Sequence, residues 1–464
     1  MAIWGFFAIL LSTCMGILNR KESLVLAIGD VVSFVFSLWL MLFLRYNSVP
    51  DRSIVYAHIA PFSLLFVVWL IVFFVAGLYE KHTLLFQSRL PKILLQTGMV
   101  NILIAVILFY FVPSFGIAPK ANLFIYLCFS SASILMWRMY GYQLFYKAKK
   151  QNALIIGTGE ELLELVREVN ANKRYPVRFV SSFEIQNINA GDFERTIVQT
   201  MEDEGVTLVA LDMQNERLGP LLPSLYKLVF RNVEFVDIHE LYEEIFDRIP
   251  LSRITNDWFL EHVPSRTSAG YDSLKRLMDI VIALPLLAIP LITYPLAWIA
   301  MKIEDGGSVL IYQNRVGKNN RSVRLLKFRT MLFNDEGDWK EKGKQNRVTK
   351  VGAFLRKTRL DEFPQLWNVL KGDISLIGPR PEFLEAVKQY VEKIPYYDTR
   401  HLIEPGLSGW AQLYHDNHPH HKADVEETRV KLSYDLYYIK NRSFFLDLKI
   451  ALKTIKTLLS RSGV

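Results

Sequence analysis

The chain has 464 residues, 51% of them hydrophobic and 13% aromatic, with a mean hydropathy of +0.18, a net charge of +8 and a pI near 9.1. That length excludes a single ordinary core, and that apolar content excludes a purely soluble protein. The basic balance suits anionic lipid headgroups and nucleotides, and no recognition-helix, zinc-finger or RNP pattern supports nucleic acid as a partner.

Residues 2–18 are apolar but lack a basic n-region, so they fit a signal peptide poorly. They read equally as a span, an interfacial segment or an extension. Residues 24–44, 60–79, 94–113 and 122–146 are each long enough to cross about 30 Å of hydrocarbon as helices. Residues 1–147 are therefore predicted to be a transmembrane bundle of about four helices. Arg20 and Lys21, then Lys81, Arg89 and Lys92, then Lys147, Lys149 and Lys150 put the basic loops on one side. The positive-inside rule makes everything from about residue 148 onward cytoplasmic. Asp30, a charge inside the first span, is expected to face partner helices rather than lipid, an ion relay being the alternative. The two cysteines, Cys14 and Cys128, have no metal spacing or disulfide framework and read as buried hydrophobes.

Residues 151–250 change character. The apolar runs 153–158, 207–212 and 233–237, with helical periods between them, predict a small Rossmann-like parallel α/β domain. The first strand runs into GTGEELLEL, which has Gly157 and Gly159 but Leu162 where a dinucleotide fingerprint needs its third glycine. A tight strand-to-helix turn is the plainer reading. A redox or dehydratase unit that binds NAD is the weaker one. Residues 251–273 read as a linker.

The apolar stretch 277–301 has Lys275, Arg276 and Lys302 at its two ends and is interrupted by Pro285, Pro290 and Pro295. Basic flanks on both sides and helix-kinking prolines predict a re-entrant helix that breaks at Pro290 and returns to the same face. Beyond it the polar motifs crowd: YQNRVGK (312–318), LLKFRTM (325–331), NRVTKVGAFLRKTRLDE (346–362) and GDISLIGPRPE (372–382). They supply Gln313, Arg315, Lys327, Arg329, Arg356 and Arg380 around the adjacent acids Asp361 and Glu362. Acids can hold Mg2+ or attack phosphorus, and arginine forks match phosphate oxygens. Asp361 also stands where a helix should begin, so a helix cap is an equally valid reading.

The insert 414–427 carries His415, His418, His420 and His421 without helical ligand spacing and reads as a solvated loop, a metal site being the alternative. The last stretch, 444–462, is amphipathic, with Lys449, Lys453 and Lys456 on one side. It suits either an anionic membrane surface or a packed core.

KRLMDIVIA (275–283), QNRVG (313–317), KFRTM (327–331), LRKTRLDEFPQLWNVLKGDISLIGPRPE (355–382), PGLSGWAQ (405–412) and YDLYYIKNRSFFLDLKI (434–450) stand in one order. Together they make residues 274–464 resemble the bacterial sugar transferases, the polyprenyl-phosphate glycosyl-1-phosphate transferases. The upstream helices and α/β domain resemble the family's large form. The resemblance implies a mostly α-helical catalytic domain in a multi-pass protein of the bacterial inner membrane, with the catalytic domain on the cytoplasmic face among its lipids. It implies transfer of sugar 1-phosphate from a UDP-sugar to undecaprenyl phosphate, starting an exopolysaccharide, capsule, O-antigen or other glycoconjugate. By the same match Asp361 is the nucleophile that forms an aspartyl-phosphosugar, Glu362 supports it, and both hold Mg2+, mainly Asp361. Lys327, Arg356 and Arg380 bind phosphate. A homodimer is left open. The competing reading is a non-catalytic scaffold or regulator of polysaccharide export. This chain departs from the family in its three prolines and in having Gly306-Gly307-Ser308 where Gly-Pro is common.

Overall fold

The computed structural model describes residues 20–76, 78–79, 90–111, 119–141, 150–172, 175, 177–184, 190–213, 215–231, 233–263, 269–332, 347–414 and 424–460. Residues 2–18, with Cys14, lie outside that set, as do Lys81, Arg89, Lys147, Lys149 and the histidines of 415–421. The chain divides into two compact units, 1–236 and 237–464.

The first unit opens with four apolar helices, α1 (Arg20–Tyr46), α2 (Arg52–Val75), α3 (Leu90–Phe111) and α4 (Pro119–Met136). Val25–Tyr46 within α1, and Asn122–Gly141 running from α4 through the π-helical turn Trp137–Gly141, are long and apolar enough to cross a bilayer. In α2, Arg52–Ile59 and Pro61–Phe74 meet at a 45° bend, because Pro61 has no N–H to give the helix. The apolar part of α3, Ile93–Phe109, is shorter. Aromatic side chains fill the interior: Phe62, Phe66 and Trp69 pack on Tyr126 with centroids 4.8, 6.1 and 5.6 Å away. Cys128, expected to be buried, instead faces outward on α4.

Asp30 does have a partner, and it is one that periodicity could not name. Arg138, in the π-helical turn after α4, donates to both Asp30 carboxylate oxygens and to the Leu78 carbonyl at 2.8 Å. Tyr79 donates its hydroxyl to the same carboxylate at 2.7 Å, and its ring lies 4.9 Å from the guanidinium. Gly29 is what lets this turn approach, since a Cβ there would lie 1.9 Å from the Trp137 ring. Losing one member of a buried ion pair leaves the other charged and unpaired. Arg138→Ala is therefore expected to cost about 3–5 kcal/mol. Pairing it with Asp30→Asn should restore much of the lost midpoint in thermal unfolding of the detergent-solubilised protein. A single variant as stable as wild type would refute the pair's role.

Next comes a four-stranded sheet in the order β2-β1-β3-β4, built from β1 (Gln151–Gly157), β2 (Val177–Glu184), β3 (Val206–Leu211) and β4 (Glu234–Asp237). Helices α5 (Glu160–Ala171), α6 (Ala190–Glu204) and α7 (Leu222–Val229) connect them. β1 pairs parallel with both β2 and β3. The central strand is a continuous buried run and was legible, whereas edge strand β2 (VRFVSSFE) is polar and half exposed and was not. Gly159 takes φ +108° and ψ 170° at the start of α5, a conformation only glycine adopts readily, and Leu162 is buried in the core where a third glycine would stand. Glu160 and Glu161 stand in the first turn of α5, where a pyrophosphate would meet like charge.

The second unit begins earlier than the boundary at 250 and the linker 251–273 anticipate. It contains α8 (Ile238–Phe246), α9 (Asn256–His262), α10 (Ala269–Leu286) and α11 (Ala288–Glu304). A hairpin of β5 (Leu310–Val316) and β6 (Ser322–Phe328) follows, then α12 (Lys350–Lys357), a 3₁₀ turn Leu360–Gln365, α13 (Leu366–Lys371) and β7 (Ser375–Ile377). The remainder is α14 (Leu384–Lys393), β8 (Gly406–Ser408), α15 (Trp410–Tyr414), α16 (Val425–Lys440) and α17 (Phe444–Ser460). Ile249, Ile254 and Trp258 lie in the same core as Leu432, Leu436 and Trp410. Trp410 donates its indole N–H to the Asp247 carbonyl at 2.8 Å, and Lys440 pairs with Glu243 at 2.8 Å. Apolar side chains bury the supposed linker.

The helix break falls at Leu287, three residues before the expected Pro290. Proline cannot donate to the carbonyl four residues back, here Leu286, so the hydrogen-bond ladder fails there. Gly270–Glu304 as a whole is long and apolar enough to cross a membrane. Both of its halves pack on the second unit, α10 through Met278 and Ala283, and α11 through Ala297 and Met301. At the C-terminus α17 buries Leu446 and Ile450 in the core, while Lys449 and Lys453 stack on the rings of Trp410 and Tyr414. For this first half of the helix the packed-core reading holds.

Candidate active site

The site is assembled around the β5–β6 hairpin, where Gln313 faces Leu325 and Ile311 faces Lys327. Strand alternation puts Leu325 and Lys327 on one face, and both are buried. Buried Asn368 of α13 fastens this strand to the segment that carries the acids. Its amide accepts from the Leu326 N–H at 3.0 Å and donates to the Arg324 carbonyl at 2.9 Å. Arg276 of α10 satisfies the last carbonyls of α13, Val369 and Leu370, at 2.6 and 2.5 Å. Gly372 then ends the helix at φ +88°. KRLMD, read as the start of an apolar stretch, thus holds the site in place.

Asp361 is not a helix cap. Arg359, in a left-handed conformation at φ +56°, occupies the cap position, and no side chain caps that end. Asp361 and Glu362 follow within the 3₁₀ turn, where three residues per turn aim neighbouring side chains about 120° apart. Glu362 turns inward and accepts from Lys327 Nζ at 3.2 Å and from Arg380 at 2.6 Å. Among the described residues Asp361 has no hydrogen-bond or ion-pair partner.

The two acids therefore titrate apart. Burial, then the charge of Glu362, pushes Asp361 up to about 6 against the opposing pull of Lys327, Arg356 and Arg380. Burial also works against the Glu362 carboxylate, but Arg380 and Lys327 outweigh it and hold Glu362 well below the usual carboxylate range. Burial lowers Lys327, and its partner Glu362 resists that shift. Glu362 raises Arg380.

Arg380 is delivered by the Gly378-Pro379-Arg380-Pro381 turn, which crosses the backbone of 404–409. Gly378 donates to the Ser408 carbonyl at 2.8 Å, and Gly406 donates to the Pro379 carbonyl at 2.9 Å. A Cβ on Gly406 would lie 2.1 Å from the Gly378 nitrogen, so the two strands can meet only through glycine. Arg315, Leu325, Lys327, Glu362, Gln365, Arg380, Pro381, Gly406 and Leu407 line one cleft.

The cations expected to converge do so unequally. Lys327 and Arg380 reach the dyad, and the Arg356 charge acts on Asp361 while its Nε donates to Thr330 at 2.8 Å. Arg315 lines the cleft, stacked on Phe383, and donates to Gln313 at 3.0 Å. Arg329, expected as a phosphate binder, is directed elsewhere. The Asp305 carboxylate clamps it at 2.8 and 2.6 Å, and it also donates to the carbonyls of Ser308 and Met331. Gly307 sits beneath that clamp, where a Cβ would strike the guanidinium at 2.6 Å.

Missed entirely was a second buried network behind the cleft. Glu382 pairs with Lys431, and Arg400 pairs with Asp435 at 2.7 Å and donates to the Arg380 carbonyl at 3.1 Å. Lys431 and Arg400 hold Glu382 below its usual range against burial. Lys431 and Asp435 stand four residues apart on α16, but Glu382 and Arg400 come from two other segments, so no single local spacing reveals it. Among the described residues no three His, Cys, Asp or Glu side chains converge as a metal centre.

Residues 270–461 match the family model described as "Bacterial sugar transferase". Over 261 residues the chain is 40% identical to the UDP-N-acetylgalactosamine-undecaprenyl-phosphate N-acetylgalactosaminephosphotransferase of Aeromonas hydrophila, covering 55% of this chain and 59% of that protein. It is 39% identical over 186 residues, 39% of each chain, to the UDP-glucose:undecaprenyl-phosphate glucose-1-phosphate transferase of Escherichia coli. It is 40% identical over 197 residues, 41% of this chain, to an uncharacterized sugar transferase of Bacillus subtilis, and covers 90% of that shorter protein. This chain belongs to the bacterial sugar transferase family.

Proposed function

We propose that the chain transfers sugar 1-phosphate from a UDP-sugar to undecaprenyl phosphate at the cytoplasmic face of the bacterial inner membrane. The observation that carries this reading is the unpaired Asp361 carboxylate beside a Glu362 already held by Lys327 and Arg380. Of two adjacent acids, one is neutralised and the other is left available.

An Asp361 oxygen attacks the sugar-bearing phosphorus, and the bond from that phosphorus to the bridging oxygen breaks. UMP leaves with the electron pair, and an acyl phosphate links the sugar to the enzyme. A phosphate oxygen of undecaprenyl phosphate then attacks the same phosphorus. Asp361 leaves as carboxylate, and undecaprenyl-diphosphate sugar is formed. Lys327 and Arg380 offset the negative charge gathered on the phosphoryl oxygens. Two steps spare the site from holding both bulky substrates together.

Mg2+ fits the donor set, because it is commonly held by one or two carboxylates with substrate phosphates. Asp361 would hold it, since Glu362 is committed to its cations. Bound there, the ion would neutralise phosphate charge. Basic residues at both ends of 277–301 and the prolines within it support a helix that dips into the bilayer and returns, rather than one that separates its ends across about 30 Å. This would bring a lipid phosphate to the level of the cleft.

The test is UMP release by the purified full chain from a panel of UDP-sugars with undecaprenyl phosphate and Mg2+. An acid quench without acceptor, using UDP-sugar labelled on the sugar-bearing phosphate, should leave label on the peptide containing Asp361. Release without any labelled protein would refute the covalent route, and no release from any sugar nucleotide would favour a scaffold.

A further inference from the structure

Resting on the proposed transfer, the buried network behind the cleft remains without a task. Arg400, in the 3₁₀ turn Tyr397–Leu402, is buried, as are Lys431 and Asp435. Among the described residues that line the cleft, none belongs to this group. Buried ion pairs are weak evidence of stability, because packed apolar side chains often serve as well. What apolar side chains cannot do is donate to a backbone carbonyl.

Arg400 spreads its guanidinium over three partners. One nitrogen donates to the Tyr397 hydroxyl at 2.6 Å. The other pairs with Asp435 at 2.7 Å and donates to the Arg380 carbonyl at 3.1 Å. Glu382, two residues past Arg380, is held by Lys431 and stands 3.9 Å from Arg400. The backbone between is secured link by link. The carbonyls of Pro379, Arg380, Pro381 and Glu382 accept from the Gly406 N–H, Arg400, Arg315 and the Val316 N–H, at 2.9, 3.1, 3.3 and 2.9 Å. Prolines on both sides of Arg380 fix their own φ and have no N–H to exchange. The Arg380 side chain in the middle is 35% exposed and reaches Glu362 at 2.6 Å from this fixed base. A long side chain on several rotatable bonds places its guanidinium reproducibly only where its backbone is held.

We propose that Arg400, oriented by Asp435, is a positioning residue that holds the Arg380 carbonyl and so sets where the Arg380 guanidinium meets the transferring phosphoryl group. It touches neither substrate. A misplacement of about 1 Å is enough to cost up to about a hundredfold in rate.

The experiment measures Arg400→Lys in two backgrounds, native and Arg380→Ala, in the full chain with undecaprenyl phosphate and Mg2+. The donor is UDP-glucose, UDP-galactose or an N-acetylamino counterpart, whichever the wild type uses, labelled on the sugar-bearing phosphate. Lysine keeps the charge facing Asp435 and Glu382 but has one nitrogen in place of the fork, so it cannot span all three partners. In the native background kcat should fall about tenfold to a hundredfold. KM should change less, because the lost interaction is with charge that develops during transfer. In the Arg380→Ala background the same change should cost no more than about twofold, since the group that Arg400 positions is already gone. An equal loss in both backgrounds would mean that Arg400 serves only the fold and would overturn the assignment, as would an unchanged kcat in the native one. Thermal midpoints of the detergent-solubilised proteins identify a variant that does not fold. In that event Tyr397→Phe, which removes one acceptor from the far end of the fork, takes its place. It should give a smaller loss of kcat, again confined to the native background, and no loss or an equal loss in both would count against the proposal. If the wild-type chain releases UMP from none of these sugars, the failure belongs to the proposed reaction and not to Arg400.

Discussion

Asp361→Asn is expected to lower UMP release on the order of 10⁴-fold or more, as removal of a nucleophile does, and at the same time to stabilise the folded chain at pH 8. Asp361 titrates at about 6 in the folded chain against 3.8 for an ordinary aspartate. The folded state thus holds this proton more tightly than the unfolded one. Stability from that preference is complete below about pH 4 and is lost as pH rises through about 6. Asparagine stays neutral, so it should keep roughly 1–3 kcal/mol that the ionised aspartate forfeits at pH 8, with no gain near pH 4. Thermal midpoints of the two proteins at both pH values would show this. A variant less stable than wild type at pH 8 would mean that Asp361 is a paired structural acid. In the wild-type chain, kcat/KM should climb with pH through about 6 as the attacking carboxylate ionises.

Its neighbour should respond with the opposite sign. Glu362→Gln leaves Lys327 and Arg380 charged, part-buried and without their counter-ion, a loss of about 3–5 kcal/mol at pH 7. Because Glu362 titrates well below its usual range, its contribution is present above about pH 4.5 and fades as pH falls toward the folded value. UMP release should fall as well, since the released cations would no longer be held in register around the phosphates. Denaturant midpoints at pH 7 and pH 4 measure the effect. Equal stability of Glu362→Gln and wild type at pH 7 would remove the basis for dividing the roles of the two acids.

Apolar length and turn residues made much of this architecture readable. The central strand Gln151–Gly157 is a continuous buried run, and the end of the short helix Leu366–Lys371 was marked by Gly372. Edge strand Val177–Glu184 escaped notice because half of it faces water and its pattern is weak. The boundary near 250 was misjudged because Ile249, Ile254 and Trp258 look like a sparse linker until their partners on α16 and α15 are known. Arg329 shares its motif with Lys327 but not its direction, because Asp305 claims it.

The sequence by itself determined the membrane character, the parallel α/β segment, the family resemblance and the acid pair with a set of nearby cations. Those properties are carried by composition, periodicity and contiguous motifs, all of them local. Only the tertiary structure decided which acid is paired and which is open. It also decided that Asp30 meets Arg138, that Arg329 serves Asp305, and that Arg400 reaches the Arg380 carbonyl. Each of these depends on contacts between segments far apart in the chain, where a few ångströms determine whether a charge is neutralised or left available.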